Sequence, residues 1–453
     1  MTVENYKGNI ENASSDKEKI NLLIKEVVKR AQEIQPEIKA LYEDFHENPE
    51  LGGQEIETSK KIADYLESLD IEIADSHVGI EKKDDNDKVI STGTGVIAIV
   101  HGLDRSRSVA LRADIDALPV DEDPKNSVKS KKEHLMHACG HDIHTAALLG
   151  AAKILKELAD KGELPTDVVL LFQPSEEKTF QKESGAVQMI KKLEELGIRK
   201  NIEAFFGQHV TPSFEMGKVN IKEGIQVASS GEIDITLKTK GGHVADVYEI
   251  PNVNRIFSEI NTKLYDIFEP LFKKNQSIVA NTRVDYPRGG YNIVPSEGKS
   301  TWVVRISSEN YKKISKDVLQ QIKEVVTSTV EKYSNKDEVS VKIDTRLGYR
   351  PIVHRDPALV NIVRDSAKQV IKDATLTDNF LAAGEDFSFY PEDFRGKQIP
   401  GAFAMVGSAN PENGFPIMNH HTNNFKVDPD VLKDMASLHV AFVLNHSIKD
   451  KSA

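Results

Sequence analysis

The order of strand-like and helix-like segments changes at Gly224, and this change limits the possible folds more than any other feature of the sequence. Before it, amphipathic helices alternate with short apolar strands such as Val168 to Phe172, an order typical of an α/β sheet. After it, the segments follow a βαββαβ order up to about Asp344. Because helices and short strands return from Gly348, we predict a discontinuous main domain with a compact inserted domain.

The length of 453 residues supports this division, because it exceeds what one ordinary hydrophobic core accommodates. We expect the first part of the main domain at residues 1–223, the inserted domain at 224–346 and the second part at 347–453. The net charge of -12 comes from acidic and basic residues mixed along the chain, so we expect neither a nucleic acid nor an anionic membrane as partner. The apolar runs are also too short to span a bilayer.

The location is predicted from the N-terminal segment and the cysteine content. Met1 to Lys19 is polar and carries acidic residues, whereas a signal peptide has a basic start and an apolar run. The chain contains one cysteine, Cys139, so it forms no intramolecular disulfide and suits a reducing compartment. We therefore predict a cytoplasmic protein.

Cys139 lies among four histidines within eleven residues, His134 to His144. Cys139 and His141 are two positions apart, at a turn that leads into a predicted helix, so both side chains can face one point. Thiolate and imidazole are ligands for zinc, cobalt or manganese-type sites. The alternative is a buried thiol beside surface histidines, and a Cys-x-His motif alone favours it.

Two vicinal glutamates, Glu176 and Glu177, follow the apolar strand that ends near Phe172. Open α/β sheets present functional groups at strand ends, and neighbouring side chains of an extended chain point to opposite sides. One glutamate can then bind a metal while the other transfers a proton from the attacking water to the leaving amine. An ordinary solvated pair is the alternative in so acidic a chain.

Three further groups of residues extend the candidate site. His209 follows the apolar segment Phe205 to Gly207, and either His420 or His421 can complete a metal site from the C-terminal region. Asp114 and Asp116 end another strand and either orient ligands or form a structural salt bridge. Gathered around divalent metals, such residues favour amide hydrolysis, because the metals acidify water and polarise the carbonyl.

Four motifs in this order resemble those of the metal-dependent amidohydrolases that include hippurate hydrolase, plant auxin-amide hydrolases, N-acyl-amino-acid aminoacylases and aminobenzoyl-glutamate hydrolase. These enzymes belong to the aminoacylase and carboxypeptidase class of metallopeptidases. The resemblance runs from about Leu41, including His46-Glu-Asn-Pro-Glu-Leu51, to about Phe425. The four motifs are Leu111-Arg-Ala-Asp-Ile-Asp-Ala-Leu-Pro119, Met136-His-Ala-Cys-Gly-His-Asp142, Gln173-Pro-Ser-Glu-Glu177 and Gly384-Glu-Asp-Phe387.

The resemblance implies an α/β fold in which a zinc-peptidase-like catalytic domain has a mixed central sheet flanked by helices. It also implies an inserted ferredoxin-like α+β domain that acts as a lid and in dimerisation. Two divalent metal ions are implied, zinc or manganese, with cobalt or nickel as alternatives. Glu176 matches the general base, and His421 is favoured over His420 by its spacing from Phe425. The implied metal ligands are Cys139, His141, Glu177, His209 and His421.

The inserted domain contributes three further matches. His243, in Gly241-Gly-His243, matches a histidine that in relatives reaches the partner subunit's site and stabilises the oxyanion. Asn292 and Arg305 match positions near the substrate carboxylate, which an Arg fork suits. A surface salt bridge is the alternative for Arg305. The resemblance thus implies a homodimer.

Some segments depart from the family pattern. Lys178 to Glu183 replaces the usual glycines after Glu177, so we expect a reshaped loop and a shifted substrate preference. Val244 to Tyr248 lacks the usual small residues and proline-histidine step. Thr422 to Asn424 lacks the proline common after the last ligand.

The leading functional hypothesis is hydrolysis of an N-acyl amino acid or related amide, with release of a carboxylic acid and an amino acid or amine. A dipeptidase or carboxypeptidase on the same scaffold is the closest alternative. An amidase with Cys139 as nucleophile predicts inactivation by alkylation and indifference to chelators. A metal-binding protein without activity is the remaining alternative.

Overall fold

The computed structural model describes residues 15–79, 82–83, 89–91, 93–177, 183–275, 277–287, 289–333, 338–392 and 396–448. The chain divides into two compact units, of which the second comprises residues 224–353 and 380–388. None of the described helices is long and apolar enough to cross a membrane.

The helices are α1 Asp16–Glu33, α2 Gln35–Glu47, α3 Ile56–Ser68, α4 His141–Asp160, α5 Gly185–Glu195, α6 Val253–Asn275, α7 Tyr311–Tyr333, α8 Pro357–Val370 and α9 Val431–His446. The strands are β1 Glu72–Val78, β2 Lys82–Lys83, β3 Val89–Ser91, β4 Gly95–Val100, β5 Asp104–Asp114, β6 Thr166–Gln173, β7 Ile202–Glu215, β8 Lys218–Asn220, β9 Gly224–Val227, β10 Ser229–Lys238, β11 Gly242–His243, β12 Ile278–Asp285, β13 Ile293–Val294, β14 Glu297–Ile306, β15 Ser340–Leu347, β16 Ile352–His354, β17 Thr375–Thr377 and β18 Gly401–Ala409.

The first unit contains a mixed eight-stranded sheet in the order β1-β4-β6-β5-β7-β18-β8-β17. Its four central strands, β6, β5, β7 and β18, are all parallel to one another. Every residue of β6 and of β18 is buried. A strand that is buried on both faces needs apolar residues at successive positions, which explains the uninterrupted apolar segment Val168 to Phe172. The carboxyl ends of these parallel strands therefore lie at one edge of the sheet.

Helix α4 is buried along most of its length and packs against α2 and α9. Gly150 lies at this contact, where an added Cβ would come within 2.8 Å of Ile38 Cγ2 and 3.5 Å of Ala436 Cβ. A small residue is needed here because protein interiors are close-packed and the helices approach closely. The packing fixes the axis of α4, and hence the position of its first residue, His141.

The second unit contains a four-stranded antiparallel sheet in the order β12-β14-β10-β15. With α6 after β10 and α7 after β14, this is the ferredoxin-like arrangement of a βαββαβ chain. Alternate residues of β10, Ile233, Ile235 and Leu237, share a core with Phe257 and Trp302. The predicted fold class, a mixed α/β sheet flanked by helices with a ferredoxin-like insertion, is confirmed.

Candidate metal centre

Three neighbouring parallel strands bring most of the candidate residues to one edge of the sheet. Asp114 is the last residue of β5, and Glu176 and Glu177 follow the end of β6. In β7, Gly207 pairs with Arg112 of β5, so His209 is level with Asp114. Functional groups of open α/β sheets gather at such carboxyl ends, and the placement follows from the strand order.

Cys139 and His141 reach the same place through a turn at Gly140. Gly140 has φ +90°, and a Cβ there would lie 2.4 Å from Val210 Cγ1. Both the left-handed backbone and the close approach require glycine. Helix α4 begins directly after this turn, so the turn places the thiol and the imidazole side by side.

The candidate ligands form two groups that share Cys139. In each group the ligand atoms lie within 4.8 Å of one another: Cys139, His141 and His209 form one group, and Cys139, Glu177 and His421 form the other. The Cys139 Sγ lies 3.4 Å from both His209 Nε2 and His421 Nε2. A donor common to two groups can bridge a pair of adjacent ions.

Hydrogen bonds fix the tautomers of two of these histidines. Nδ1 of His141 donates to the Asp116 carbonyl at 2.8 Å, and Nδ1 of His209 donates to the Val210 carbonyl at 2.7 Å. Because a carbonyl only accepts, Nδ1 carries the proton of the neutral ring, and in that form each Nε2 keeps a lone pair. His141 Nε2 is buried and has no hydrogen-bond partner among the described residues. Metal-binding histidines are oriented in this way.

The charges around these ligands also fit a cation. Burial lowers the pKa of His141, but Asp114, Asp116 and Glu177 outweigh it and raise the pKa to about 10. Burial raises the pKa of the Cys139 thiol well above its usual range, and the nearby carboxylates Glu177 and Glu176 raise it further. The buried site therefore holds an excess of negative charge, which divalent metals would offset.

Of the other histidines near the centre, His144, His420 and His134 have partners outside the two donor groups. His144 donates from Nδ1 to Asp114 at 2.5 Å and accepts at Nε2 from the Val210 N–H at 2.8 Å. His420 donates from Nε2 to the Val210 carbonyl at 3.0 Å, whereas its neighbour His421 faces Cys139. His134 pairs with Asp121 at the surface. His137 is buried, and neither of its nitrogens has a partner among the described residues.

Two candidate segments have left-handed backbone at residues other than glycine. Ser175, directly before the glutamate pair, has φ +55°, and His421 has φ +61°. Such conformations cost free energy and persist where surrounding contacts hold them, often at functional sites. The His421 N–H donates to the Ala138 carbonyl at 2.8 Å, which ties the C-terminal histidine to the turn that carries Cys139.

The three candidate residues of the second unit differ in exposure and contacts. His243 and Asn292 are exposed, and His243 Nδ1 accepts from the Ala245 N–H at 3.1 Å, which leaves Nε2 as the donor of the neutral ring. Arg305 is half-buried, and burial lowers its pKa. Among the described residues no carboxylate forms an ion pair with Arg305, so the predicted alternative of a surface salt bridge is not seen.

Sequence reasoning missed two buried residues near the centre. His46, at the end of α2, lies 2.6 Å from Asp142, the residue after His141, and 3.1 Å from Glu122. Glu55 accepts from the N–H of Ser175 at 2.9 Å. His46 begins the motif 46–51 and Glu55 lies outside it, and the contacts of both residues span long sequence separations. Of the predicted loop 178–183, residues 178–182 lie outside the described residues.

Comparison with known proteins places the chain among metallo-hydrolases. Residues 110–445 match the model of peptidase family M20/M25/M40. An IAA-amino acid hydrolase of Arabidopsis thaliana is 32% identical over 419 residues, which cover 90% of this chain and 85% of that protein. Thermostable carboxypeptidase 2 of Saccharolobus solfataricus is 30% identical over 427 residues, which cover 94% of this chain and all of that protein.

A solved structure agrees with these relatives. The crystal structure of a dinuclear metal-binding peptidase of the M20 family from Bacillus subtilis matches with a TM-score of 0.67 and 27% identity. The match covers 91% of this chain and 98% of that one. The family match covers most of the chain, two relatives are at least 30% identical over most of their length, and the chain belongs to peptidase family M20/M25/M40.

Proposed function

We propose that this metallo-hydrolase cleaves the amide bond of an N-acyl amino acid and releases a carboxylic acid and an amino acid. The observation that carries the proposal is the pair of donor groups that share Cys139, with Glu176 close to both His141 and Glu177. The relative named as an IAA-amino acid hydrolase supports a substrate in which an acyl group is joined to an amino acid.

The proposed metal ligands are Cys139, His141, Glu177, His209 and His421. Two divalent ions bound there would acidify a water molecule and polarise the amide carbonyl. We propose zinc or manganese, with cobalt or nickel as alternatives, because histidine, cysteine and carboxylate ligands suit these metals. The outer contacts from Asp116 and Val210 hold the imidazoles of His141 and His209 in the orientation that such binding needs.

Glu176 is the proposed general base. Its side chain is buried, and its carboxylate lies within 4.8 Å of the donor atoms of His141 and Glu177. At this position Glu176 can accept a proton from the attacking water and deliver it to the nitrogen of the leaving amine. The proton transfer therefore needs one carboxylate that remains outside the ligand set.

The chemistry of Cys139 opposes the alternative of a cysteine nucleophile. A nucleophilic cysteine needs a lowered pKa, supplied by a neighbouring cation or a helix N-terminus. Burial and carboxylates raise the pKa of Cys139 instead. A raised pKa favours the neutral thiol, and we propose its two histidine neighbours, His209 and His421, as fellow ligands.

The proposal also assigns roles to His243, Asn292 and Arg305 of the second unit. The predicted inserted domain, residues 224–346, would act as a lid and in dimerisation. His243 would donate to the oxyanion in the partner subunit's site, which its Nε2–H can do. Asn292 and Arg305 would bind the substrate carboxylate, and the guanidinium of Arg305 has no ion-pair partner among the described residues that competes for this role. We also propose a cytoplasmic homodimer.

The first test is a substrate panel with metal depletion. Purified protein should hydrolyse one or more of the acetyl, benzoyl and indoleacetyl amino acids, lose activity with a chelator and regain it with zinc or manganese. Glu176→Gln should lower kcat by about 100- to 10,000-fold without loss of metal. Glu195→Gln, at an exposed position of α5, is the matched control. Unchanged turnover in Glu176→Gln at saturating metal would overturn the assignment.

A carboxypeptidase or dipeptidase is the second candidate, favoured by the likeness to thermostable carboxypeptidase 2. The two activities differ in whether the acyl group carries a free amine. Comparing kcat/KM for a dipeptide and for the same dipeptide with an acetylated amine decides between them. A preference for the free amine would favour the peptidase.

A further inference from the structure

Two buried carboxylates accept hydrogen bonds from three successive backbone N–H groups of the turn that carries the glutamate pair. Glu55 Oε1 accepts from the Ser175 N–H at 2.9 Å. The two oxygens of Asp116 accept from the N–H groups of Glu176 at 3.1 Å and Glu177 at 3.0 Å. Each peptide of this turn is thus fixed from outside the turn itself.

Glu55 has an unusual position for this task. It is the N-cap residue of α3, but its side chain makes no capping hydrogen bond. Glu50 bonds the beginning of α3 instead, since its carboxylate accepts from both the N–H and the hydroxyl of Thr58 at 2.9 Å. Glu55 is fully buried, and its other oxygen accepts from the Thr94 hydroxyl at 2.7 Å. Its carboxylate is directed at the turn rather than at its own helix.

Close packing restricts the same turn from two sides. A Cβ on Gly52 would lie 3.0 Å from Ser175 Cα and 2.9 Å from Asp116 Oδ2. A Cβ on Gly185 would lie 1.6 Å from the Pro174 carbonyl oxygen. The turn therefore has little room to shift, and Ser175 keeps its left-handed backbone under these contacts.

We propose that Glu55 is a positioning residue for the reaction. Through the Ser175 N–H, and together with Asp116, it holds the turn so that Glu176 and Glu177 diverge into their separate roles of base and ligand. This inference rests on the proposed function of Glu176 and Glu177. Pre-organisation of this kind matters because small displacements of reacting groups cost large factors in rate.

The test compares variants that separate geometry from charge. Glu55→Gln keeps an oxygen for the Ser175 N–H and an amide that can donate to Thr94, so kcat should stay within about threefold of the parent. Glu55→Asp keeps the charge, but its shorter side chain moves the carboxylate oxygen away from the Ser175 N–H. Glu55→Ala removes the carboxylate. Both should lower kcat about 10- to 100-fold, as outer contacts of metal ligands typically do, with little change in KM.

Cobalt binding gives a readout that does not depend on turnover. The absorption spectrum of the cobalt-loaded protein reports the geometry of Glu177, so Glu55→Asp should change it and weaken binding, and Glu55→Gln should retain the parent spectrum. Glu50→Ala is the matched control, because it removes a buried carboxylate that bonds α3 and not the turn. Glu50→Ala should lower thermal stability and leave kcat and the spectrum unchanged.

The outcomes distinguish this inference from the proposed function. An active parent in which Glu55→Asp behaves like Glu50→Ala would overturn the positioning role alone. A loss in Glu55→Gln as large as that in Glu55→Asp, or larger, would also overturn it, because Glu55→Gln keeps the oxygen that accepts from the Ser175 N–H. A parent with no metal-dependent amide hydrolysis would overturn the proposed function, while the cobalt spectra would still test whether Glu55 holds the turn.

Discussion

The candidate metal centre and the candidate substrate residues of the second unit are built in opposite ways. In the first unit, His141 and His209 are buried and their tautomers are set by carbonyl partners. In the second unit, His243 and Asn292 are exposed, and neighbouring Tyr291 is fully exposed. Groups that must hold a fixed geometry are supported by packing and outer hydrogen bonds, whereas groups that meet a substrate or another subunit are left accessible.

This difference has a physical reason. A metal ligand set benefits from being held in place by outer contacts, since each misplaced donor reduces affinity. An exposed hydrogen-bond donor or cation is hydrated until the substrate binds. Contacts with the substrate then replace its contacts with water. The first region should therefore respond to substitution through metal content, and the second through kinetics at full metal occupancy.

The largest effect is expected from Cys139→Ser. Because Cys139 belongs to both donor groups, this substitution should remove both ions and lower activity by more than the roughly 100-fold typical of outer-shell changes. His421→Ala, which affects one group, should retain one ion per chain. Metal analysis of dialysed protein measures the stoichiometry. Loss of a single ion in Cys139→Ser would contradict the shared role.

His243→Ala should lower kcat about 100- to 1,000-fold, as loss of one oxyanion donor does, while metal content stays at the parent level. If the histidine acts in the partner subunit's site, mixing His243→Ala with Glu176→Gln should restore activity. Random mixing makes about half of the dimers heterodimers, and each heterodimer has one intact site of its two. The expected activity is therefore about a quarter of that of the parent. No recovery after subunit exchange would contradict a site completed across a homodimer.

Arg305→Ala should raise KM about 10- to 100-fold for substrates with a free carboxylate, because a hydrogen bond to a charged group is worth about 1.5 to 3 kcal/mol. The same amide with its carboxylate converted to a carboxamide should show little change between the parent and the variant. Arg283→Ala, at an exposed position of β12, is the control. An equal effect on both substrates would exclude carboxylate binding.

The smallest expected effect is a loss of folding stability in acid, and we expect it in the first unit and not in the second. His354 is buried, donates to the Lys222 carbonyl and accepts from the Phe403 N–H, and burial lowers its pKa to about 4. Between about pH 6.5 and 4 the unfolded state binds the proton and the folded state does not, so stability falls as pH falls. The loss from this residue should be roughly 1 kcal/mol at pH 5.5.

Hydrogen exchange at pH 7 and pH 5.5 measures this effect separately in the two units. The single histidine of the second unit, His243, is exposed, so that unit should lack the dependence. His354→Gln should be less stable at pH 7 but lose less on acidification. An equal acid response in His354→Gln and the parent would contradict the assignment.

Local sequence patterns predicted the fold well and the centre in part. Glu176, Glu177 and His209 were predicted as site residues because they follow the ends of apolar strands. The carboxyl ends of parallel strands lie at one edge of a sheet, whatever the details of side-chain packing. The βαββαβ order of the second unit was likewise visible in its periodicity. The ligand roles themselves stay predictions.

The supporting contacts were not predictable from the sequence. Glu55 meets Ser175 across 120 positions and His46 meets Asp142 across 96, and no local pattern encodes such pairs. His144 lies at helical spacing from His141 and looks like an equal ligand candidate, yet both of its nitrogens are engaged. These hydrogen bonds, which only coordinates show, argue against His144 as a ligand.

The backbone of Val210 has a consequence for attempts to alter this protein. Its carbonyl accepts from both His209 and His420, its N–H donates to His144, and its side chain closes against Gly140. One residue thus contacts three histidine rings and the turn before α4. A larger side chain at Val210 would press against Gly140, where the turn admits no side chain, so a substitution at Val210 should shift several groups of the centre together rather than one ligand at a time.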